Sequence, residues 1–133
     1  MKVLIVGTNG FLGSHVKSIL SNEYDHEVLE ITGKDQIDIT KYDHLDEYLS
    51  KSRPDVVINC AAFVGGISYG YKYPARMLYE NSLMAINLYN ASQKNKVEKL
   101  INPISNCAYP KNLTTYKEEY FFDGPPDDSV YNY

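Results

Sequence analysis

The chain has no tryptophan, only two cysteines, and nowhere a run of five like charges. Cys60 and Cys107 stand without close-spaced thiol or imidazole partners, which argues against a disulfide framework and a zinc site and fits a reduced, cytoplasmic protein. His15, His26 and His44 have no ligand spacing either, so no metal is expected. The apolar opening is broken at Gly7, far short of a secretory core or a membrane span, and no membrane partner is expected. A formal charge of -4 with no basic stretch argues against a nucleic-acid face. A small metabolite is the partner class that remains. At 133 residues the chain has the length of one domain, with no room for a separate substrate domain. Thirteen tyrosines supply the large rings that tryptophan does not.

The apolar residues that are present alternate between two periods. Lys2 to Val6 reads as a parallel strand buried on both faces, and Leu12, Val16, Ile19 and Leu20 then recur at helical spacing. Glu27 to Ile31 is a second strand, followed by an irregular edge segment at Gln36 to Ile39. Thr40 followed by Asp43 has the form of a helix cap, and Tyr42, Leu45, Tyr48 and Leu49 predict a helix over 41–52 that Pro54 ends. Asp55 to Cys60 is the next strand, with a small-residue loop after it. Pro74 suits a first helical position, and Met77, Leu78, Asn81, Met84, Ala85, Leu88 and Ala91 mark one face of a long helix. Val97 to Ile104 is the last strand, disturbed at Pro103, and the sequence beyond Ser105 is loop-like. Strands alternating with helices predict a doubly wound α/β parallel sheet with right-handed crossovers and strand order 2-1-3-4.

The turn between the first strand and helix is Gly7-Thr8-Asn9-Gly10-Phe11-Leu12-Gly13. A glycine-rich turn in that place offers main-chain N–H groups and the positive helix end to a pyrophosphate with no Cβ in the way. All seven residues are therefore candidate cofactor contacts. Glycines also serve ordinary tight turns, and here it is the placement between strand and helix that favours the cofactor. Ala61 and Ala62, after the third strand, form a second place where backbone approaches a ligand. Strand two ends in Thr32-Gly33-Lys34 rather than in the acid that grips an adenosine ribose. Lys34 is either a partner for a 2′-phosphate, which tilts the cofactor towards NADP over NAD, or a solvated loop lysine.

Several further segments carry a resemblance. They are Asp38-Ile39, Asn59-Cys60-Ala61-Ala62, Val64-Gly65-Gly66-Ile67, Tyr73-Pro74-Ala75, Asn81, Ser105-Asn106-Cys107-Ala108-Tyr109-Pro110 and Gly124-Pro125-Pro126. Together with the glycine turn they resemble the N-terminal part of the extended short-chain dehydrogenases/reductases, in the branch of the GDP-L-fucose synthases. The resemblance implies a Rossmann-like NAD(P)-binding domain over 1–133, incomplete, without the last strands and the substrate domain. It also implies a nucleotide-sugar substrate, a 4-keto-6-deoxyhexose epimerised at two ring carbons and reduced at C4 with NADPH. Asp38 matches an adenine-contacting aspartate, with a helix cap as the plain alternative. Ser105 matches a donor to the keto oxygen, against an ordinary turn serine. Cys107 matches an epimerisation acid/base, against an inert buried thiol. Tyr133, or Tyr131 in another alignment, matches the proton-donating tyrosine, and the lysine that lowers its pKa in the family falls beyond the sequence. On this reading the chain is inactive by itself. Two alternatives stand beside it: a related NAD-dependent nucleotide-sugar 4-epimerase/dehydratase, or a non-catalytic nucleotide-binding module completed by a partner. The resemblance further implies a homodimer through helix 74–93, and an unpaired helix would expose Met77, Met84 and Leu88.

Overall fold

A computed structural model describes residues 1–126 of the chain. The elements run β1 (Lys2–Val6), α1 (Phe11–Glu23), β2 (Glu27–Ile31), α2 (Tyr42–Ser52), β3 (Val56–Asn59), α3 (Ile67–Lys72), α4 (Pro74–Lys94) and β4 (Lys99–Ile101). Two compact units are distinguished: residues 1–63 with 80–103, and residues 64–79 with those from 104 onward.

The first unit is built on a parallel four-stranded sheet of order β2-β1-β3-β4, the order that the alternation of periods predicts. Register follows the apolar residues: Leu4 lies opposite Leu29 and Val57, and Val57 opposite Leu100. One sheet face and the helices α2 and α4 enclose Leu4, Val6, Ile31, Leu45, Leu49, Val57, Met84, Leu88 and Ala91 as a single cluster, with Ile39 joining it from the loop after β2. Because side chains alternate along a strand, Val3 and Ile5 point to the opposite face. There α1 packs more thinly. Gly13 is buried and Val16 and Leu20 are half-buried, while Leu12 and Ile19 lie about a quarter turn off that line and stay exposed.

Several expectations need correction. The cap of α2 is Lys41, with no side-chain bond, because Thr40 is engaged by Asp38 instead. Strand β4 keeps only three residues of the expected eight: Pro103 lacks the N–H that a ladder needs at one end, and at the other Val97 still bonds back to the Ser92 carbonyl in the turn out of α4. Met77, Met84 and Leu88 are buried rather than exposed, being 3%, 9% and 0% accessible. The exposed apolar residues of α4 in this unit are Ile86 and Tyr89. Both lie on the helix face turned away from Leu88 and Ala91.

The second unit contains α3, the first residues of α4 and two 3₁₀ turns at Asn106–Ala108 and Glu118–Tyr120. Aromatic rings replace a sheet here: Tyr109 meets Tyr116 and Phe121 edge-on at centroid distances of 5.3 and 5.0 Å. The ring of Tyr69 covers Gly65 so closely that a Cβ on that glycine would sit 2.6 Å from it. The six-residue α3 has no amphipathic period long enough to announce itself in the sequence.

Candidate functional site

In an open sheet of this order the crevice lies at the carboxyl ends of the strands where the connections reverse, here between β1 and β3. The glycine turn forms one wall. Gly7 takes φ +87°, a left-handed conformation, and its amide and that of Thr8 both donate to the Ile31 carbonyl, at 2.7 and 3.3 Å. The turn closes through Gly10 N–H on the Gly7 carbonyl at 3.0 Å, and α1 begins as Ser14 N–H reaches the Gly10 carbonyl. Gly10 caps the helix with no side-chain bond, so the amides of Phe11 and Leu12 have no acceptor in their own helix. Asn9 and Gly10 are exposed beside them, as are the side chains of Phe11 and Leu12, whereas Thr8 is buried.

The glycines are required by contact as well as by conformation. A Cβ on Gly13 would stand 2.2 Å from the Gly7 carbonyl oxygen, and one on Gly7 would stand 2.8 Å from the Ala61 nitrogen. Backbone meets backbone at both points, so no side-chain rotation relieves the clash. This leaves a concave main-chain surface with unpaired N–H groups at a helix start, and a dinucleotide pyrophosphate fits it. Thr8 and Gly7 spend their own amides on Ile31, so the N–H groups that fit a phosphate are those of the first helical turn, Phe11 and Leu12 among them.

The second wall leaves β3. Ala61 is half-buried against Gly7 and Ala62 is exposed. Asn59, Asn81 and Asn102 hold this segment, and nothing in their spacing along the sequence marks them for it. Asn81 appeared only as a motif and helix-face residue, because a side-chain amide bond to a distant backbone leaves no period.

Beyond β2, Gln36 ties the loop by accepting from the Thr32 amide and hydroxyl at 2.8 and 3.0 Å. Lys34 is exposed, with Nζ 3.5 Å from Asp38 Oδ2. The other Asp38 oxygen accepts from the Thr40 hydroxyl at 2.6 Å and the Thr40 amide at 3.1 Å. These bonds close a local turn before α2 and do not cap it, since the cap residue of α2 is Lys41 with no side-chain bond. Burial pushes the Asp38 carboxyl up, but the Thr40 hydrogen bonds and the Lys34 charge outweigh it and hold the pKa below the ordinary carboxylate value. Glu30 is lowered too, chiefly by its bond from Lys17 at 2.8 Å.

Folded-state pKa values below the unfolded ones mean that the unfolded chain binds more protons in acid, so the stabilisation is complete above about pH 5 and is lost as pH falls through the lowered values. Thermal melts from pH 7 down to pH 3 are expected to show a falling midpoint below about pH 5, with a shallower fall for Asp38→Asn. Parallel curves for the two proteins would remove Asp38 from the account.

Ser105, Cys107 and the residues between them belong to the second unit. Ser105 ends the extended segment and caps the 3₁₀ turn, its hydroxyl oxygen accepting from the Cys107 amide at 3.2 Å. The Cys107 thiol is half-buried, 3.7 Å from the Asn106 side-chain oxygen. Tyr133 and Tyr131 lie outside the described residues. Cys60, read as core, is half-buried, and burial raises its thiol pKa. Among the described residues no group of three or more His, Cys, Asp or Glu side chains is placed to hold a metal ion.

Residues 3–133 match the NAD dependent epimerase/dehydratase family. The chain belongs to that family. It is 34% identical to the GDP-L-colitose synthase of Yersinia pseudotuberculosis over 111 residues, covering 84% of this chain and 35% of that protein. It is also 34% identical to the GDP-L-fucose synthase of Sinorhizobium fredii over 125 residues, covering 93% of this chain and 39% of that protein. A GDP-L-fucose synthetase from Naegleria fowleri, solved bound to NADP, superposes with a TM-score of 0.84 at 27% identity, over 99% of this chain and 39% of its own. This member of the family thus spans little more than a third of the length of the relatives it matches. Its four-stranded parallel sheet is Rossmann-like.

Proposed function

We propose that the chain is the cofactor-binding part of an NADP-dependent epimerase/reductase of the GDP-L-fucose synthase type, whose substrate is a GDP-linked 4-keto-6-deoxyhexose. One observation carries the reading: the main-chain cradle of Gly7, Gly10 and Gly13 ends in the unpaired amides of the first helical turn. The names of the relatives, GDP-sugar synthases among them, support the substrate class, and the NADP bound to the Naegleria protein supports the cofactor.

In this reading Phe11 and Leu12 donate their amides to the pyrophosphate, and Asn9, Ala61 and Ala62 line the crevice. Lys34 is exposed and exchanges its contact with Asp38 for the 2′-phosphate, while Asp38 accepts from the adenine amine. When bound, NADPH supplies the hydride. Ser105 already accepts an amide proton on its oxygen, which leaves its own hydroxyl proton to donate to the substrate keto oxygen. Cys107 moves a proton at the carbon beside the carbonyl, and Tyr133 gives one to the reduced oxygen.

Calorimetric titration tests the cofactor assignment directly. NADPH is expected to bind at least about tenfold tighter than NADH, and Lys34→Ala to remove the preference while leaving NADH binding in place. Equal affinity for both in the parent chain would favour the NAD-dependent 4-epimerase/dehydratase reading. No heat from either would defeat the site altogether.

A further inference from the structure

Where the chain leaves β3 it is tied by side-chain amides on both sides of Ala62. Asn59, 8% exposed, accepts the Ala61 N–H on Oδ1 at 3.0 Å, and its Nδ2 donates to Asn102 Oδ1 at 2.7 Å. Asn81, on α4, accepts the Phe63 N–H at 2.8 Å and returns its own N–H to the Phe63 carbonyl at 2.9 Å. An amide group can point either way round. Here the carbonyl of Asn102, at the end of β4, takes the Asn59 NH₂ and so turns the Asn59 oxygen towards Ala61. Facing this segment is Gly7, whose absent Cβ would lie 2.8 and 2.9 Å from the Ala61 nitrogen and Cα. Displacements of a few tenths of an ångström at Ala61 therefore change the width of the crevice.

A strand end that served the fold alone would be simplest with apolar side chains, since a buried amide costs stability unless every bond is made. This chain keeps three amides around it, Asn59 buried and the other two half-buried; Asn59 and Asn81 spend bonds on main-chain atoms of the site, and Asn102 holds Asn59. We propose that Asn59, Asn81 and Asn102 are positioning residues, a clamp that presents Ala61–Phe63 as the second wall of the dinucleotide crevice. The proposal rests on the cofactor reading above. None of the three needs to touch the cofactor; each acts through the backbone it holds.

Amide hydrogen exchange and NADPH titration on the same samples test the clamp, with urea unfolding alongside. In the parent chain the Ala61 and Phe63 amides are expected to be protected. Asn102→Leu should speed exchange at Ala61 and leave Phe63 unchanged, and Asn102→Asp, which keeps the acceptor, should restore protection. Asn81→Ala should act the other way, on Phe63, and carries the test if Asn102→Leu does not fold. Asn102→Leu and Asn81→Ala should each weaken NADPH by about fivefold, the loss of roughly one hydrogen bond's worth of order. Folded variants that bind NADPH as tightly as the parent overturn the clamp and leave the cofactor site standing. A weakened affinity with Ala61 and Phe63 still protected overturns it as well. A parent chain that binds no NADPH brings down the cofactor reading, and the clamp's role with it.

Discussion

Gly13→Ala is expected to abolish dinucleotide binding and to destabilise the fold by about 3 kcal/mol or more, the upper end of what overpacking costs. The added methyl would lie 2.2 Å from the Gly7 carbonyl oxygen and 2.9 Å from the Thr8 Cα. Neither atom can rotate away, so α1 has to lift off the turn. Lifting it separates the Phe11 and Leu12 amides from the cradle that aims them, and binding is lost with stability. Gly33→Ala is the matched control, because nothing lies within 4 Å of a Cβ there. It should stay within about 0.5 kcal/mol of the parent. Urea unfolding and NADPH calorimetry on the two variants measure both effects, and a Gly13→Ala protein that folds and binds like the parent would refute the close approach of α1 to the turn.

The second large effect belongs to the core. Leu88→Ala removes a fully buried side chain from a cluster shared with Leu4, Leu45, Leu49 and Val57. Cavities of this kind cost about 2–5 kcal/mol, a large part of the 5–15 kcal/mol that holds a typical domain. Ile86→Ala, two positions earlier and 54% exposed, should cost less than about 0.5 kcal/mol. The contrast fixes the rotation of α4 about its axis. Similar losses for both variants would mean that the helix does not present Leu88 to the sheet. The same rotation bears on self-association: a pairing of two copies through α4 has Ile86 and Tyr89 to offer in this unit, rather than Met84 and Leu88.

Much of this architecture is legible in the sequence because it repeats. Val3 to Val6 is buried as a continuous apolar run, Val57 is buried between half-buried Val56 and Ile58, and β1 and the start of α4 at Pro74 fall where period and punctuation place them. The stretch after Ile31 is too short for a parallel crossover, and Gln36 to Ile39 forms no strand, while the alternation of strands and helices gives the order β2-β1-β3-β4. The glycine turn is legible for a different reason: strand, glycines and amphipathic helix come in one uninterrupted line. What escapes notice is set by single contacts between distant residues. Nothing in the spacing of Asn59, Asn81 and Asn102 says that they converge on one loop. Met77 and Leu78 look equivalent as neighbouring apolar residues, yet one is 3% and the other 48% exposed. Thr40 has the residue type of a cap, but Asp38 reaches it first, at two residues' separation, and the helix starts without it. Local competition among polar groups decides such cases, and composition does not record the winner.

The meeting of Gly7 with Ala61 and of Gly13 with Gly7 joins peptide units directly, with no side chain between them. A joint of that kind makes almost no demand on the identity of its neighbours. Asn9, Phe11 and Ala62 can be exchanged for other residues while the curvature of the pocket persists, so long as positions 7 and 13 carry nothing beyond hydrogen. Shape is thereby separated from chemistry at this end of the sheet: substitutions along the rim retune what is held, and the mould itself stays the same.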